Sequence, residues 1–187
     1  MKKIILGSAS PRRKDLLAAL DLEFTVDTGN TFEEGPLQGI PAAEYPAAMA
    51  RGKSHGFHRP LADDELLITA DTAVICGNTL LGKPRDREDA VKMLRLLSGK
   101  THEVVTGVTL RTSAREETFS VCTSVEFKEL NAGEIDYYVD KYRPYDKAGA
   151  YGIQEWIGYI GISRIEGSFY NVMGFPVQRV YEELMKF

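Results

Sequence analysis

Three cationic residues follow one another near the amino terminus, where the pattern predicts the start of a helix. Ser10 is suited to cap that helix and Pro11 to open its first turn. The next three residues are Arg12, Arg13 and Lys14. Positive charge at this end opposes the helix dipole and costs stability unless an anion neutralises it. Together with free backbone N–H groups and the hydroxyls of Ser8 and Ser10, the segment could bind phosphate; a solvated basic helix start is the alternative.

An acidic residue interrupts an apolar run further along the chain. Residues 66–70 read Leu-Leu-Ile-Thr-Ala, which predicts a buried strand, and Asp71 follows directly. An ionised carboxylate there needs a cation, a metal or several hydrogen bonds to offset its desolvation. Asp71 could therefore hold Mg²⁺ or orient a water molecule, and Thr72 could donate a hydrogen bond beside it. The alternative is an aspartate that only accepts backbone hydrogen bonds where the strand ends.

The stretch 77–84 matches the spacing of a phosphate-binding P-loop except at its last position. Pro84 stands where a Ser or Thr would bind magnesium, and Leu80 and Leu81 suit a short strand better than a loop. We therefore reject a P-loop, and Lys83 remains as a single cation that could bind phosphate.

Histidines and cysteines give no metal-ligand pattern. His55 and His58 are two of only 3 histidines, and they predict a surface pair. Cys76 and Cys122 lie far apart without a CxxC motif. We expect both cysteines to be small core residues in a reducing cytoplasm, not a disulfide or a zinc site.

Composition excludes some classes of partner. The 187 residues include 23 Lys+Arg and 27 Asp+Glu, a formal net charge of -4, which argues against the broad basic surface that nucleic-acid binding needs. The first residues lack the apolar run of a signal peptide, and no run elsewhere reaches the length of a membrane span. We expect a soluble, cytoplasmic protein with neither a nucleic-acid nor a membrane partner, which would bind an anionic ligand locally.

Hydrophobic periodicity predicts strands and helices that interleave without a regular βαβ rhythm. Besides the short strand at Leu80 and Leu81, the predicted strands are residues 4–6, 24–27, 66–76, 102–111, 118–127 and 160–165. One helix opens at Pro11, and the others are predicted at residues 42–57, 86–97, 131–141 and 176–187. Residues 146–154 form an irregular polar segment that ends on Gln154. The pattern indicates an α/β or α+β domain with a mixed sheet.

Several short motifs, taken in order along the chain, are similar to those of one protein family. They are Ser8-Ala9-Ser10-Pro11-Arg12-Arg13, Ala70-Asp71-Thr72, Leu81-Gly82-Lys83-Pro84, Thr106-Gly107-Val108, the run from Asp146 to Gln154, and Gly174-Phe175-Pro176. In this order and spacing they resemble the Maf family of nucleoside triphosphate pyrophosphatases along nearly the whole chain. One departure is that Gly52 and Ser54 flank Lys53, where the family usually has an acid and an alanine.

The resemblance implies a single domain over residues 1–187, with an elongated two-lobed mixed α/β fold and a central cleft, as in inosine triphosphatase-like house-cleaning enzymes. It implies hydrolysis of a nucleoside triphosphate to the monophosphate and pyrophosphate, with a divalent metal that is Mg²⁺ or Mn²⁺. The competing interpretation is a nucleotide-binding regulator of cell division with little catalysis. The oligomeric state, a homodimer included, stays open.

The same resemblance implies roles for individual residues. Asp71 matches the catalytic acid that activates water and would also bind the metal. Substrate-contacting positions are matched by Ser8, Arg13, Lys53 and Lys83. We place the second metal-side acid at Glu34, with Glu33 as the alternative.

Three further residues bear on which base is accepted. Arg12, Thr72 and Gln154 are similar to the residues of the subgroup that acts on dTTP and UTP, and differ from those of the subgroup that prefers 7-methyl-GTP. The amide of Gln154 offers both a donor and an acceptor to the edge of a pyrimidine.

Overall fold

The computed structural model of the chain describes residues 2–35 and 39–187. The strands are β1 (Lys3–Leu6), β2 (Phe24–Val26), β3 (Glu65–Cys76), β4 (Thr79–Leu81), β5 (Thr101–Arg111), β6 (Glu116–Phe127) and β7 (Ile162–Glu166). The helices are α1 (Pro11–Ala18), α2 (Tyr45–His55), α3 (Arg87–Leu97), α4 (Ala132–Tyr142), α5 (Trp156–Gly161), α6 (Phe169–Val172) and α7 (Val177–Leu184), and a single 3₁₀ turn covers Ala148–Ala150. Within the part of the chain described, no helix is both long and apolar enough to cross a membrane.

The strands of the described residues join one mixed sheet in the order β2-β1-β3-β5-β6-β7, with β4 paired to β3. Strand β1 runs parallel to both β2 and β3, so that Ile4 faces Phe24 on one side and Leu66 on the other. Strands β4 and β7 run antiparallel to β3 and β6. The predicted fold class, mixed α/β with a central mixed sheet, is confirmed.

The chain folds into two compact units. The first comprises Met1–Thr72, Thr106–Val121 and Gly174–Phe187, and the second comprises Ala73–Val105 and Cys122–Met173. A buried cluster in the first unit consists of Ile5, Phe57, Leu61 and Leu67. In the core of the second unit, the fully buried members include Leu94, Leu97, Phe127 and Tyr138.

Capping residues fix the helix starts that the sequence predicts. The side chain of Ser10 accepts a hydrogen bond from the backbone N–H of Arg13 at the start of α1, and Asp86 accepts one from Asp89 at the start of α3. Asn131 and Glu134 form a capping box at α4. Each cap satisfies backbone donors that the first helical turn leaves unpaired.

Helix α2 is shorter than predicted, because residues 42–44 lie outside it and Pro46 falls in its first turn. Proline has no N–H to donate and clashes with the preceding turn, so the first turn of a helix is the position that tolerates it. The helix ends at His55, which makes residues 45–55 the helical part of the predicted segment 42–57.

The prediction for the last third of the chain was wrong in several details. Residues 156–161 form helix α5, so the strand predicted at 160–165 begins only at Ile162. The sequence pattern also missed the short helix α6 and the turn at 148–150, and α7 ends before residue 187. Cys76 is buried as predicted, but Cys122 is exposed.

Candidate active site

In the predicted phosphate segment, the side chain of Arg13 makes several hydrogen bonds. Its Nε donates to the carbonyl of Gly174 at 2.9 Å, and its Nη1 donates to the carbonyl of Ala70 at 2.9 Å and to Oγ of Ser8 at 3.3 Å. Its Nη2 donates to Oγ1 of Thr72 at 3.1 Å. Four of the five N–H donors of a guanidinium are therefore used inside the first unit. Arg13 links the start of α1 to β3 and to the segment before α7.

Parallel pairing of β1 and β3 explains why Ser8 lies beside Ala70. Leu6 pairs with Ile68, and the next backbone N–H, that of Gly7, donates to the carbonyl of Ile68 at 2.8 Å. A Cβ at Gly7 would lie 3.0 Å from the Thr69 side chain, so the close approach of the two strands favours glycine. The residues that follow β1 consequently run alongside the middle of β3.

Thr72 completes this hydrogen-bonded group. Its hydroxyl accepts from Arg13, donates to the carbonyl of Gly174 at 3.3 Å and lies 3.0 Å from the hydroxyl of Thr106. The sequence prediction that Thr72 donates a hydrogen bond is consistent with this geometry. Thr106 and the Gly174 carbonyl were missed as parts of the group, because a backbone carbonyl carries no side-chain signal in the sequence.

A second group joins one cation to two acids. Lys53, in the last turn of α2, places its Nζ 2.6 Å from Oε1 of Glu34 and 2.8 Å from Oδ1 of Asp71. The side chains of Lys53 and Asp71 are each 18% exposed, and that of Glu34 is 59% exposed. Of the two acids weighed for the metal side, Glu34 is the one whose carboxylate contacts Lys53. We call Glu34, Lys53 and Asp71 the ion-paired group.

Burial and the charges of these groups also shift the pKa values of Arg13 and Tyr45. Burial lowers the pKa of the Arg13 guanidinium, the nearby Asp71 carboxylate raises it, and Arg12 in the same turn lowers it again. Burial raises the pKa of Tyr45, and the charges of Asp71 and Glu34 raise it further. The two carboxylates thus create a negative field that Lys53 only partly offsets.

The residues beside Lys53 explain the departure from the family pattern. A Cβ at Gly52 would lie 2.4 Å from the ring of Phe32, so a side chain at this position would displace that ring. Ser54 is buried, and its hydroxyl accepts a hydrogen bond from Nε of Arg111 at 2.8 Å. Both substitutions are therefore accommodated by local partners, and the helix still presents Lys53 to the two acids.

The donor set suits a hard divalent cation that binds together with phosphate. The described residues contain no group of three or more His, Cys, Asp and Glu that could hold a metal alone. Glu34 and Asp71 nevertheless approach the same ammonium, so two carboxylates face a common space. Mg²⁺ usually takes one or two carboxylates and completes its shell with water and substrate phosphates. The residues fit such a metal.

Other predicted site residues lie outside these two groups. Arg12 is half-buried in the first turn of α1, within the first unit. Lys83 is exposed just after β4 and, like Gln154, belongs to the second unit. Leu80 and Leu81 form part of β4, in line with the rejection of a P-loop. His55 and His58 are exposed and pair with Glu116 and Asp27.

Gln154 has an unusual environment for an amide. Its Oε1 is buried and finds no hydrogen-bond partner among the residues that the structure describes. A buried acceptor without a partner costs free energy, about 1–3 kcal/mol, which a ligand donor would recover. The oxygen is closed off where it stands, so a ligand donor would meet it only if the side chain turned.

Comparison with known proteins gives a consistent result. A family model described as Maf-like protein matches residues 3–187. A relative from Porphyromonas gingivalis named dTTP/UTP pyrophosphatase is 52% identical over 99% of this chain and 94% of its own length. Relatives of the same name from Parabacteroides distasonis and Bacteroides thetaiotaomicron are 51% and 50% identical, over 99% and 98% of this chain and 96% and 95% of their own length.

Proposed function

The chain belongs to the Maf family, and on this premise we propose that it is a nucleoside triphosphate pyrophosphatase that hydrolyses dTTP and UTP to the nucleoside monophosphate and pyrophosphate. The names of relatives that are about half identical over nearly the full length support the substrate. The structural observation that carries the proposal is the ion-paired group, in which Lys53 contacts both Glu34 and Asp71. Such a group provides a base, a cation and a second acid for phosphate chemistry.

Cleavage between the α- and β-phosphates makes three demands. The triphosphate charge must be neutralised, a water must be aligned with the α-phosphorus, and the pyrophosphate must be stabilised as it leaves. In our proposal Asp71 accepts a proton from the attacking water while the water oxygen bonds to the α-phosphorus. The bond from the α-phosphorus to the bridging oxygen breaks, and that oxygen leaves with the pyrophosphate.

Lys53 prepares Asp71 for this step. Its ammonium lies 2.8 Å from Oδ1, so the attraction between the two charges holds the carboxylate in place. Arriving phosphates compete for the same ammonium, so Lys53 can exchange a carboxylate partner for a phosphate oxygen. Ser8 and Lys83 are proposed to bind phosphate oxygens, and Arg13 contributes its remaining Nη2 donor.

Glu34 and Asp71 are the residues that would hold a divalent cation, Mg²⁺ or Mn²⁺. When bound, the cation supplies positive charge to the phosphate oxygens and makes the α-phosphorus more electrophilic. The protein's own part is to turn both carboxylates toward the same space. Without a cation, two carboxylates would repel a triphosphate, so we expect the activity to depend on the metal.

We assign the choice of base to Arg12, Thr72 and Gln154. Thymine and uracil present an N3–H donor between two carbonyl acceptors, and the buried Oε1 of Gln154 can accept from such a donor. The amide N–H₂ of the same residue can donate to a neighbouring carbonyl. A purine such as 7-methylguanine has a different size and donor pattern, which argues against the other subgroup.

The proposal is tested by following the products and the path of oxygen. We expect the wild-type chain with Mg²⁺ to convert dTTP and UTP to monophosphate and pyrophosphate. In water enriched in oxygen-18, the label should enter the monophosphate, because the attack is on the α-phosphorus. Release of orthophosphate, or label in the pyrophosphate, would contradict the proposed reaction.

The alternative of a cell-division regulator predicts a different result in the same assay. A regulator would bind nucleotide tightly without forming products, whereas the intact Asp71 and Lys53 favour turnover. We also propose a cytoplasmic location, which fractionation of cells tests. A homodimer is tested by measuring the mass of the protein in solution.

A further inference from the structure

A single buried hydroxyl holds the segment that carries Gln154. Tyr138, fully buried on α4, accepts a hydrogen bond from the backbone N–H of Gly152 at 3.0 Å. The same hydroxyl donates to Oε2 of Glu155. Gln154 lies between Gly152 and Glu155 in the sequence. The Tyr138 hydroxyl therefore contacts the chain on both sides of Gln154.

The carboxylate of Glu155 is held on its other side as well. Lys147 places its Nζ 3.0 Å from Oε1 of Glu155 and 2.8 Å from Oδ1 of Asp146, with a side chain only 10% exposed. Burial raises the pKa of the Tyr138 phenol, and the hydrogen bond to Glu155 raises it further, so the hydroxyl keeps its proton at neutral pH. Tyr138, Lys147 and Glu155 therefore form one closed network, which we call the Tyr138 network.

Close backbone packing leaves this segment little freedom. A Cβ at Gly152 would lie 3.0 Å from Cε of Lys147, and one at Gly158 would lie 1.9 Å from the carbonyl of Ile153. The hydroxyl of Tyr151 lies 2.6 Å from Nε2 of the buried His102. The residues on both sides of Gln154 are thus fixed by contacts within the second unit.

We propose that Tyr138 is a positioning residue for pyrimidine selection, because its hydroxyl fixes the backbone from which Gln154 presents its amide. The proposal rests on the role assigned to Gln154 under the proposed function. An amide can present either its oxygen or its nitrogen, so it distinguishes uracil from cytosine only while its orientation is fixed. Uracil offers a donor at N3, whereas cytosine offers an acceptor there. Loosening the segment should therefore reduce discrimination more than it reduces the chemical step.

The ring and the hydroxyl of Tyr138 can be tested separately. The Tyr138 ring belongs to the core and stacks on the ring of Tyr142, with 5.1 Å between the two ring centroids. Tyr138→Phe therefore keeps the packing and removes only the hydroxyl. Tyr142→Phe is the matched control, since it removes a hydroxyl from the stacked neighbour and leaves the two hydrogen bonds of Tyr138 in place. Glu155→Gln provides a second change in the network should the first variant fold poorly.

The experiment compares kcat and KM for UTP and CTP with Mg²⁺, together with the thermal midpoint of each variant. For Tyr138→Phe we expect KM for UTP to rise about tenfold with kcat nearly unchanged, and the UTP-to-CTP ratio of kcat/KM to fall by about the same factor. Glu155→Gln should change the ratio in the same direction, and Tyr142→Phe should leave it at the wild-type value. Adding Tyr138→Phe to Gln154→Ala should reduce the ratio no further.

Several outcomes would overturn the inference, and they separate it from the proposed function. A lower thermal midpoint with an unchanged UTP-to-CTP ratio in Tyr138→Phe would make the hydroxyl structural only. An unchanged ratio in Gln154→Ala, with UTP still hydrolysed, would remove the assignment on which the inference rests and leave the reaction intact. Absence of turnover in the wild-type chain would overturn the proposed function and the positioning role together.

Discussion

The ion-paired group and the Tyr138 network differ in how exposed their carboxylates are and in what those carboxylates contact. In the ion-paired group the three side chains contact one another, and the Glu34 carboxylate is mostly exposed. In the Tyr138 network both oxygens of Glu155 are already bonded to Lys147 and Tyr138, and these partners are buried. We propose that the first arrangement exchanges partners when phosphate or metal binds, whereas the second keeps the partners that it has. The contacts within the ion-paired group join side chains only, whereas the Tyr138 hydroxyl also accepts a hydrogen bond from the backbone of Gly152.

Arg13 combines features of both groups. It is a cation near the ion-paired group, but like Tyr138 it is hydrogen-bonded to the backbone. Arg13→Lys keeps the charge but loses the fork that reaches Ala70, Thr72 and Gly174. We expect kcat/KM to fall about a thousandfold and the free energy of unfolding to fall by about 2–3 kcal/mol. Steady-state kinetics and urea unfolding measure both quantities.

Arg95→Lys on the exposed face of α3 is the matched control for Arg13→Lys and should change neither quantity. If Arg13→Lys were nearly as active and as stable as wild type, Arg13 would act as a point charge only. Its hydrogen bonds to β3 would then contribute nothing to the arrangement of Asp71.

Lys53 tests whether the ion-paired group can exchange its partners. Lys53→Met removes the ammonium that both carboxylates contact. We expect kcat/KM to fall about a hundredfold, because the triphosphate loses a cation. We also expect the variant without nucleotide to bind Mn²⁺ about tenfold more tightly, because the acids lose their competitor.

Titration of Mn²⁺ followed by electron paramagnetic resonance measures this affinity. Glu33→Gln, which changes an exposed neighbouring acid, is the control and should bind Mn²⁺ as the wild-type chain does. Weaker Mn²⁺ binding by Lys53→Met would mean that Lys53 orders the acids rather than competing for them.

His102 gives a smaller effect that depends on pH. Burial lowers the pKa of His102 to about 4 from its ordinary value of 6.5. Between these values the unfolded chain binds more protons than the folded chain, so stability falls as the pH falls. We expect His102 to lower the free energy of unfolding by about 2 kcal/mol between pH 7 and pH 5.

Urea unfolding at both pH values measures the change, and His102→Gln should remove this part of the pH dependence. His55 is exposed, so His55→Gln serves as the control and should retain it. An equally steep loss of stability in His102→Gln would assign the pH dependence to other groups.

Local sequence signals predicted the elements that begin with a strong cap or consist of a continuous apolar run. Ser10 and Pro11 predicted the start of α1, and the apolar run ending at Cys76 predicted β3. Helix α5 was missed because its isoleucines and glycines are typical of strands and turns. Residue 158 of this helix is glycine because a Cβ there would lie 1.9 Å from the carbonyl oxygen of Ile153. The sequence pattern does not reveal this contact.

The candidate site shows the same limit. Residue types indicated Asp71, Arg13 and Lys83, because a buried acid or a misplaced cation is conspicuous in a sequence. The pairing of Lys53 with Glu34 depends on how α2 packs near a distant loop, and the role of the Gly174 carbonyl has no side chain to signal it. Tyr138 has the pattern of an ordinary core residue in a helix, so its two hydrogen bonds could be found only in the structure.

The central claim is that Asp71 is the base of the reaction, and Asp71→Asn tests it most directly. The variant keeps the size of the side chain and removes the negative charge that accepts the proton. Turnover of UTP with Mg²⁺ is compared with that of Asp21→Asn, an exposed position with a φ of 55° that asparagine adopts readily. We expect Asp71→Asn to lose about a thousandfold in kcat while its thermal midpoint stays close to that of the control. Turnover of Asp71→Asn at the rate of the control would contradict the claim.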